Sequence, residues 1–181
     1  MKYSFSNDSH STTAYSGQTG IYSDHWAPSG VNGEVNTTNY LAVFSGNNTI
    51  IEATANKVFN YFGFDAGALS VGNTLQFFNG VNLVKELTFD MMNKLALVSA
   101  SQHGGEMNGF FEFFSEGDND NFNKIVISQT EGGGFESDNH TFRVGTGKYN
   151  PTSVPEPGMI VGLATVGGFF IRKRQKQKTL A

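Results

Sequence analysis

Two clusters of oxygen-bearing side chains are the parts of this chain whose types and spacing could hold an ion. The stretch Glu116-Gly-Asp118-Asn-Asp120-Asn-Phe-Asn123 puts several hard donors on one short segment, as Ca²⁺ prefers. It does not follow the helix–loop–helix calcium pattern. Counted from Asp118, position six is Asn123 rather than glycine, and position 12 is Gln129 rather than glutamate. A solvated turn is the other reading of the same residues. The second cluster is Glu136, Asp138 and Asn139, expected just ahead of the last strand. Those groups could tie adjacent loops through hydrogen bonds or through a structural Ca²⁺.

Covalent and redox chemistry find little to work with. There is no cysteine, hence no thiolate nucleophile, disulfide framework or cysteine zinc site. Ser70, in Ala68-Leu-Ser-Val-Gly72, lacks the first glycine of a nucleophile elbow and reads as a strand-turn serine. Gly132-Gly133-Gly134 runs into Phe135 instead of Lys-Ser or Lys-Thr, so it is no phosphate loop. His10, His25, His103 and His140 lack metal-ligand spacing and read as surface positions. Glu112, Glu116 and Glu136 are equally eligible as glycosidase carboxylates, so the sequence singles out no pair.

The C-terminus has a different kind of order. Val154-Pro155-Glu156-Pro157 is followed by an uncharged apolar run, Gly158 to Ile171, and then by Arg172-Lys173-Arg174-Gln-Lys-Gln-Lys178. Fourteen residues make a helix of roughly 21 Å, short of the ~30 Å hydrocarbon core. Snorkelling of Arg172, Lys173 and Arg174 and local thinning offset the mismatch. Cations beside an apolar run resist translocation, which predicts a cytoplasmic C-terminus and an external remainder. Pro155 and Pro157 hold Glu156 extended, as a protease cleft requires, and a helix can begin after Pro157.

This order resembles the PEP-CTERM sorting signal of bacterial surface proteins, over Val154 to about Lys178. The resemblance implies an exosortase-type processing protease as partner, a membrane-anchored precursor, and a mature protein at the cell surface or in an extracellular polysaccharide matrix. Exported proteins of this kind begin with a signal peptide. Met1 to Gly20 has no apolar core, so the true start is expected upstream.

Residues 1–157 carry all 16 acidic residues against seven basic ones, a net charge near −9. That balance, with no basic stripe, excludes a nucleic-acid partner. Short runs between Gly- and Asn-rich turns predict nine or ten strands. They are Tyr40–Phe44, Thr49–Thr54, Lys57–Phe64, Thr74–Phe78, Val81–Val84, Lys85–Phe89, Leu95–Ala100, Gly109–Phe114 and Lys124–Ile127, with Thr141–Val144 closing the set. Asn79-Gly80 predicts a type I′ hairpin. The fold class expected is all-β, an antiparallel sandwich or barrel over residues 36–150. The 17 phenylalanines supply most of its core, and residues 1–35 are expected to be loosely ordered. A single transmembrane helix follows within 154–181.

Thr38-Asn-Tyr-Leu41, Tyr61-Phe-Gly-Phe64, Asn73-Thr-Leu-Gln-Phe-Phe78 with Asn79-Gly80, and Phe135-Glu-Ser-Asp138-Asn139 are also similar to a group of exosortase-dependent surface proteins with a jelly-roll-like β-sandwich. That resemblance implies an architecture and a surface address, and no known activity. The function expected is therefore a non-enzymatic envelope or matrix protein with a structural or adhesive role. The alternative is a carbohydrate-binding module using Tyr15, Tyr22 and Trp26.

Overall fold

Strict alternation of apolar and polar residues builds the first sheet. Ile125 and Ile127 are buried between half-exposed neighbours, as are Leu75 and Phe77, and Thr49 and Ile51. A strand sends successive side chains to opposite faces, so these rows form one apolar surface. In the computed structural model, which describes residues 1–5, 18–23 and 26–151, they belong to β4 (Asn47–Glu52), β6 (Asn73–Asn79) and β10 (Lys124–Gln129). With β1 (Lys2–Phe5) and β7 (Asn82–Thr88) they form a sheet of order β1-β4-β10-β6-β7. Every pairing is antiparallel, and the register sets Ile51, Ile125 and Phe77 side by side.

The second sheet has the order β2-β3-β11-β5-β9-β8. Its strands are β2 (Gly20–Tyr22), β3 (Tyr40–Phe44), β5 (Phe59–Gly67), β8 (Val98–Ser99), β9 (Met107–Phe114) and β11 (Gly134–Val144). Leu41, Val43, Phe62, Phe64 and Phe135 from this sheet share one buried cluster with Ile51, Leu75, Phe77, Ile125 and Ile127 from the first. The two sheets therefore pack face to face. Phe77 stacks on Phe113 at 4.1 Å and meets Phe62 edge-on at 6.1 Å. Large aromatic burial of this kind supplies most of the driving force of a small β core. The architecture is thus all-β and sandwich-like. The compact unit carrying it runs from Met1 to Tyr149.

Several expectations change. Gly20–Tyr22, with Trp26 and Ala27, contributes an ordered layer, although the composition of residues 1–35 suggested loose order. Tyr40, Ala42 and Phe44 lie on the outward side of β3 and need a cover, which Tyr22, Ala27 and Trp26 provide in a second apolar cluster. Lys2–Phe5 adds an edge strand to the first sheet. The expected strand at Leu95–Ala100 shrinks to Val98–Ser99, because Phe89–Leu95 is a helix, α1. Asp90 in its first turn and Lys94 in its last complement the helix dipole. The β6–β7 hairpin turns on Gly80-Val81, since Asn79 pairs with Asn82. Only Gly80 has positive φ there, at 60°, the pattern of a type II′ turn rather than I′. Glu136, Asp138 and Asn139 lie inside β11, not ahead of it. Among the described residues no helix is long and apolar enough to cross a membrane; residues 158–171 lie outside them.

Candidate functional site: a cleft beside Trp26

The loops at one end of the second sheet are assembled around a single amide. Asn108, fully buried on β9, accepts hydrogen bonds at Oδ1 from the backbone N–H of Ser29 at 3.2 Å and of Ala68 at 3.3 Å. His103 Nδ1 lies 3.0 Å from the same oxygen, and the Asn108 Nδ2 group donates to the Glu106 carbonyl at 3.0 Å. Three separate loops thus meet at one side chain. Buried polar hubs of this kind are costly to disturb, because each member loses a partner together.

The hub orients a stack. His103 is buried, and Trp26 lies against it with ring centroids 5.6 Å apart and planes at 9°. His103 Nε2 sits 3.2 Å from Gln102 Nε2, and that amide also donates to the Ala27 carbonyl at 3.2 Å. The imidazole is therefore held at both nitrogens, and the half-buried indole is braced by it.

Trp26 lines a cleft of about 470 Å³ with Ala68, Ser70, Glu106, Gly133, Gly134 and Glu136. Ser70 Oγ donates to the Gly134 carbonyl at 3.1 Å and accepts from Gln129 Nε2 at 3.1 Å. Asn73 Nδ2 donates to the same carbonyl at 2.8 Å. These bonds pin the wall formed by the start of β11. A Cβ on Gly134 would fall 2.0 Å from Glu136 Oε1, so a side chain there would displace that carboxylate. Glu136 is only 3% exposed, so it forms the inner part of the wall. Glu106 stands at the open side, and burial pushes its carboxyl above the usual carboxylate range.

The residues singled out in the sequence fall in different places. Glu136 enters this cleft. Asp138 and Asn139 lie at a bulge farther along β11, where register with β5 shifts. There Asp138 Oδ2 accepts from Thr38 Oγ1 at 3.0 Å, and Asn139 Nδ2 donates to Asp65 Oδ2 at 2.8 Å. Desolvation, opposed by the Asn139 hydrogen bond and reinforced by the Asp138 charge, raises the Asp65 carboxyl. Glu116, Asp118 and Asp120 form a separate loop. Asp120 Oδ2 accepts from the Glu116 N–H at 2.9 Å, Asp118 Oδ1 accepts from Asn121 Nδ2 at 3.3 Å, and Glu116 pairs with Lys148 at 2.7 Å. Among the described residues no group of three or more His, Asp or Glu side chains is placed to hold a metal. Pro155, Glu156, Pro157, Arg172, Lys173 and Arg174 lie outside the described residues, as does Tyr15. Tyr22 is fully buried and offers no sugar-stacking face. His103 and His140 are not the surface residues expected.

An aromatic face also escaped the sequence reading. Phe110 and Phe114 on β9 remain about half exposed, with Glu112 between them. Glu112 accepts from Tyr61 Oη at 2.8 Å, and Tyr149 stacks on Tyr61 at 4.6 Å. Strand alternation could have revealed it, since Phe110, Glu112 and Phe114 share one parity while Phe111 and Phe113 take the other. No family model, curated protein or solved structure matches this chain.

Proposed function

We propose that this chain is an exported envelope or extracellular-matrix protein with a structural or adhesive role, processed through its C-terminal signal by an exosortase-type protease. The order Pro155-Glu156-Pro157, apolar residues 158–171, and Arg172, Lys173 and Arg174 carries the reading. The external part is the all-β unit, and the proposed form of that unit is a jelly roll. Eight of its strands fall into the orders β3-β11-β5-β9 and β4-β10-β6-β7, which supports two interleaved Greek keys. The role needs no catalytic step.

The test is processing. In a host carrying exosortase, mass spectrometry of the parent should find the C-terminal peptide removed. Replacing Pro155-Glu156-Pro157 with three alanines lets helix run upstream and hide the extended segment, so that form should accumulate uncleaved in the membrane fraction. A parent that keeps its C-terminal peptide, or an alanine form trimmed equally well, would sink the sorting reading. A second reading, a carbohydrate-binding module, is favoured by the Trp26 cleft.

A further inference from the structure

We infer that the cleft beside Trp26 is a binding subsite for one pyranose unit of a neutral glycan. Its volume of about 470 Å³ lies within the roughly 300–1,000 Å³ of small-molecule sites, which are mostly apolar with a few placed polar groups. A pyranose ring has one apolar C–H face and a rim of hydroxyls, and the cleft answers both. The indole of Trp26 provides an apolar surface. It is already braced by His103, which is held by Asn108 and Gln102, so little side-chain freedom remains to be lost on binding.

The rim groups match hydroxyl donors. Glu106 is a carboxylate acceptor at the open side of the cleft, and Ser70 Oγ lies in its wall. Gly133 and Gly134 bring bare backbone to the edge, where side chains would fill the space. Gly133 is at φ 99° and carries no Cβ toward Ser70, which would stand 3.3 Å away.

The same lining argues against other occupants. An apolar peptide side chain would desolvate Glu106 and return no hydrogen bond, a net cost. Among the described residues no cation lines the cleft while two carboxylates do, so a uronic acid would meet like charge. This inference rests on the adhesive part of the proposed function and is independent of the sorting part. Sugar titration in vitro does not depend on processing, and C-terminal mass spectrometry does not depend on sugar.

Trp26 is the sole tryptophan of the chain, so its fluorescence reports the surroundings of this one indole. The full-length chain, held in a detergent without a sugar headgroup, is titrated with neutral gluco-, manno-, galacto- and xylo-configured oligosaccharides. At least one should give a saturable spectral change with a Kd of about 1 mM or tighter. Glu106→Gln, at an exposed position that leaves the fold intact, should weaken it about tenfold, as loss of a charge-assisted hydrogen bond does. Trp26→Phe, followed by calorimetry, should also weaken it. The inference is overturned if no oligosaccharide of the panel gives a saturable change up to about 10 mM. It is equally overturned if Glu106→Gln, melting like the parent, keeps full affinity, or if a uronate oligosaccharide binds as tightly as a neutral one.

Discussion

Trp26–His103 and Tyr3–His140 are the same motif in two settings. Both pairs stack at an interplanar angle of 9°, with centroids 5.6 and 5.9 Å apart. The first sits among amides at the end of the second sheet. The second bridges the two sheets, with Tyr3 on β1 and His140 on β11. There the imidazole meets Phe62 edge-on at 5.5 Å and Phe64 at 6.5 Å. Its Nδ1 lies 2.9 Å from Tyr3 Oη and its Nε2 3.1 Å from Ser137 Oγ. Both imidazoles are held at both nitrogens, but the first stack stands among amides beside an open cleft, while the second packs against phenyl rings. Geometry alone does not set what a stacked histidine does; the polarity of its surroundings does.

The largest effect should come from breaking the polar stack at its root. Asn108→Ala removes the acceptor for the Ser29 and Ala68 N–H groups and the partner of His103 in one step. Each stranded buried group costs roughly 1–3 kcal/mol, so a loss of about 3–5 kcal/mol is expected by urea denaturation. Trp26 emission should shift red as its brace loosens. A loss below about 1 kcal/mol, the worth of one ordinary hydrogen bond, would show that the hub does not organise the loops.

Acid should distinguish the second stack. Burial pushes His140 down to about 4 from an ordinary 6.5, against a weaker upward pull from Asp138. Between those values the unfolded chain binds a proton that the folded chain refuses. Stability contributed by the neutral ring is therefore complete above about pH 6.5 and declines as pH falls toward 4. The ring lines a recess of about 220 Å³ and keeps some exposure. The full shift is discounted accordingly, to roughly 2–3 kcal/mol. Asp65, with its raised carboxyl, works in the opposite direction. The decisive quantity is thus the difference between the parent and His140→Phe, whose extra stability loss from pH 6.5 to 4 should vanish. Parallel pH profiles for the two would remove His140 as the cause.

Tyr3→Phe sharpens the same point at smaller scale. Desolvation pushes the Tyr3 phenol up to about 12, so it remains a proton donor throughout the acid range. Removing it deletes one bond between the sheets and should cost about 1 kcal/mol. The His140 titration, followed by NMR, should move upward because the neutral ring loses a donor that favours it. An unmoved titration would mean that the phenyl cage alone sets it.

The two stacks also mark where sequence reading succeeds and where it stops. β6 and β10 were legible because their alternation is local, β3 and β9 because they are short runs rich in apolar and aromatic residues, and the turns beside them carry Gly or Asn. Ile125 and Ile127 declare an inward face within four residues. The Trp26 cleft was legible only as a lone aromatic in a polar stretch. Its brace joins Asn108 to Ser29 across 79 positions and to Ala68 across 40, and no local pattern announces such a meeting. α1 was missed for a related reason. Seven residues, Phe89–Leu95, are too few to display a helical period, and Met92 alone is buried. The acidic cluster at 136–139 was legible as chemistry but not as place, because a bulge in β11 separates Glu136 from Asn139 and sends them to different surroundings.

The smallest effect is expected far from both stacks, on the acidic loop that first drew attention as a calcium candidate. Glu116 and Lys148 approach to 2.7 Å, yet both side chains are more than half exposed, at 60% and 58%. Water and salt screen such a pair, and holding two long side chains in one geometry costs entropy, so it contributes at most about 0.5 kcal/mol. Glu116→Gln should leave the melting temperature nearly unchanged and leave Trp26 emission and the His140 titration untouched. That makes it the control for both perturbations above. The same variant tests the loop as a metal site. Asp120 and Asp118 already accept from the Glu116 N–H and Asn121, so added Ca²⁺ should raise the melting temperature little, and equally in parent and variant. A rise that saturates with Ca²⁺ in the parent and disappears in Glu116→Gln would reverse this assignment, because only a ligand bound to the folded state stabilises it by mass action.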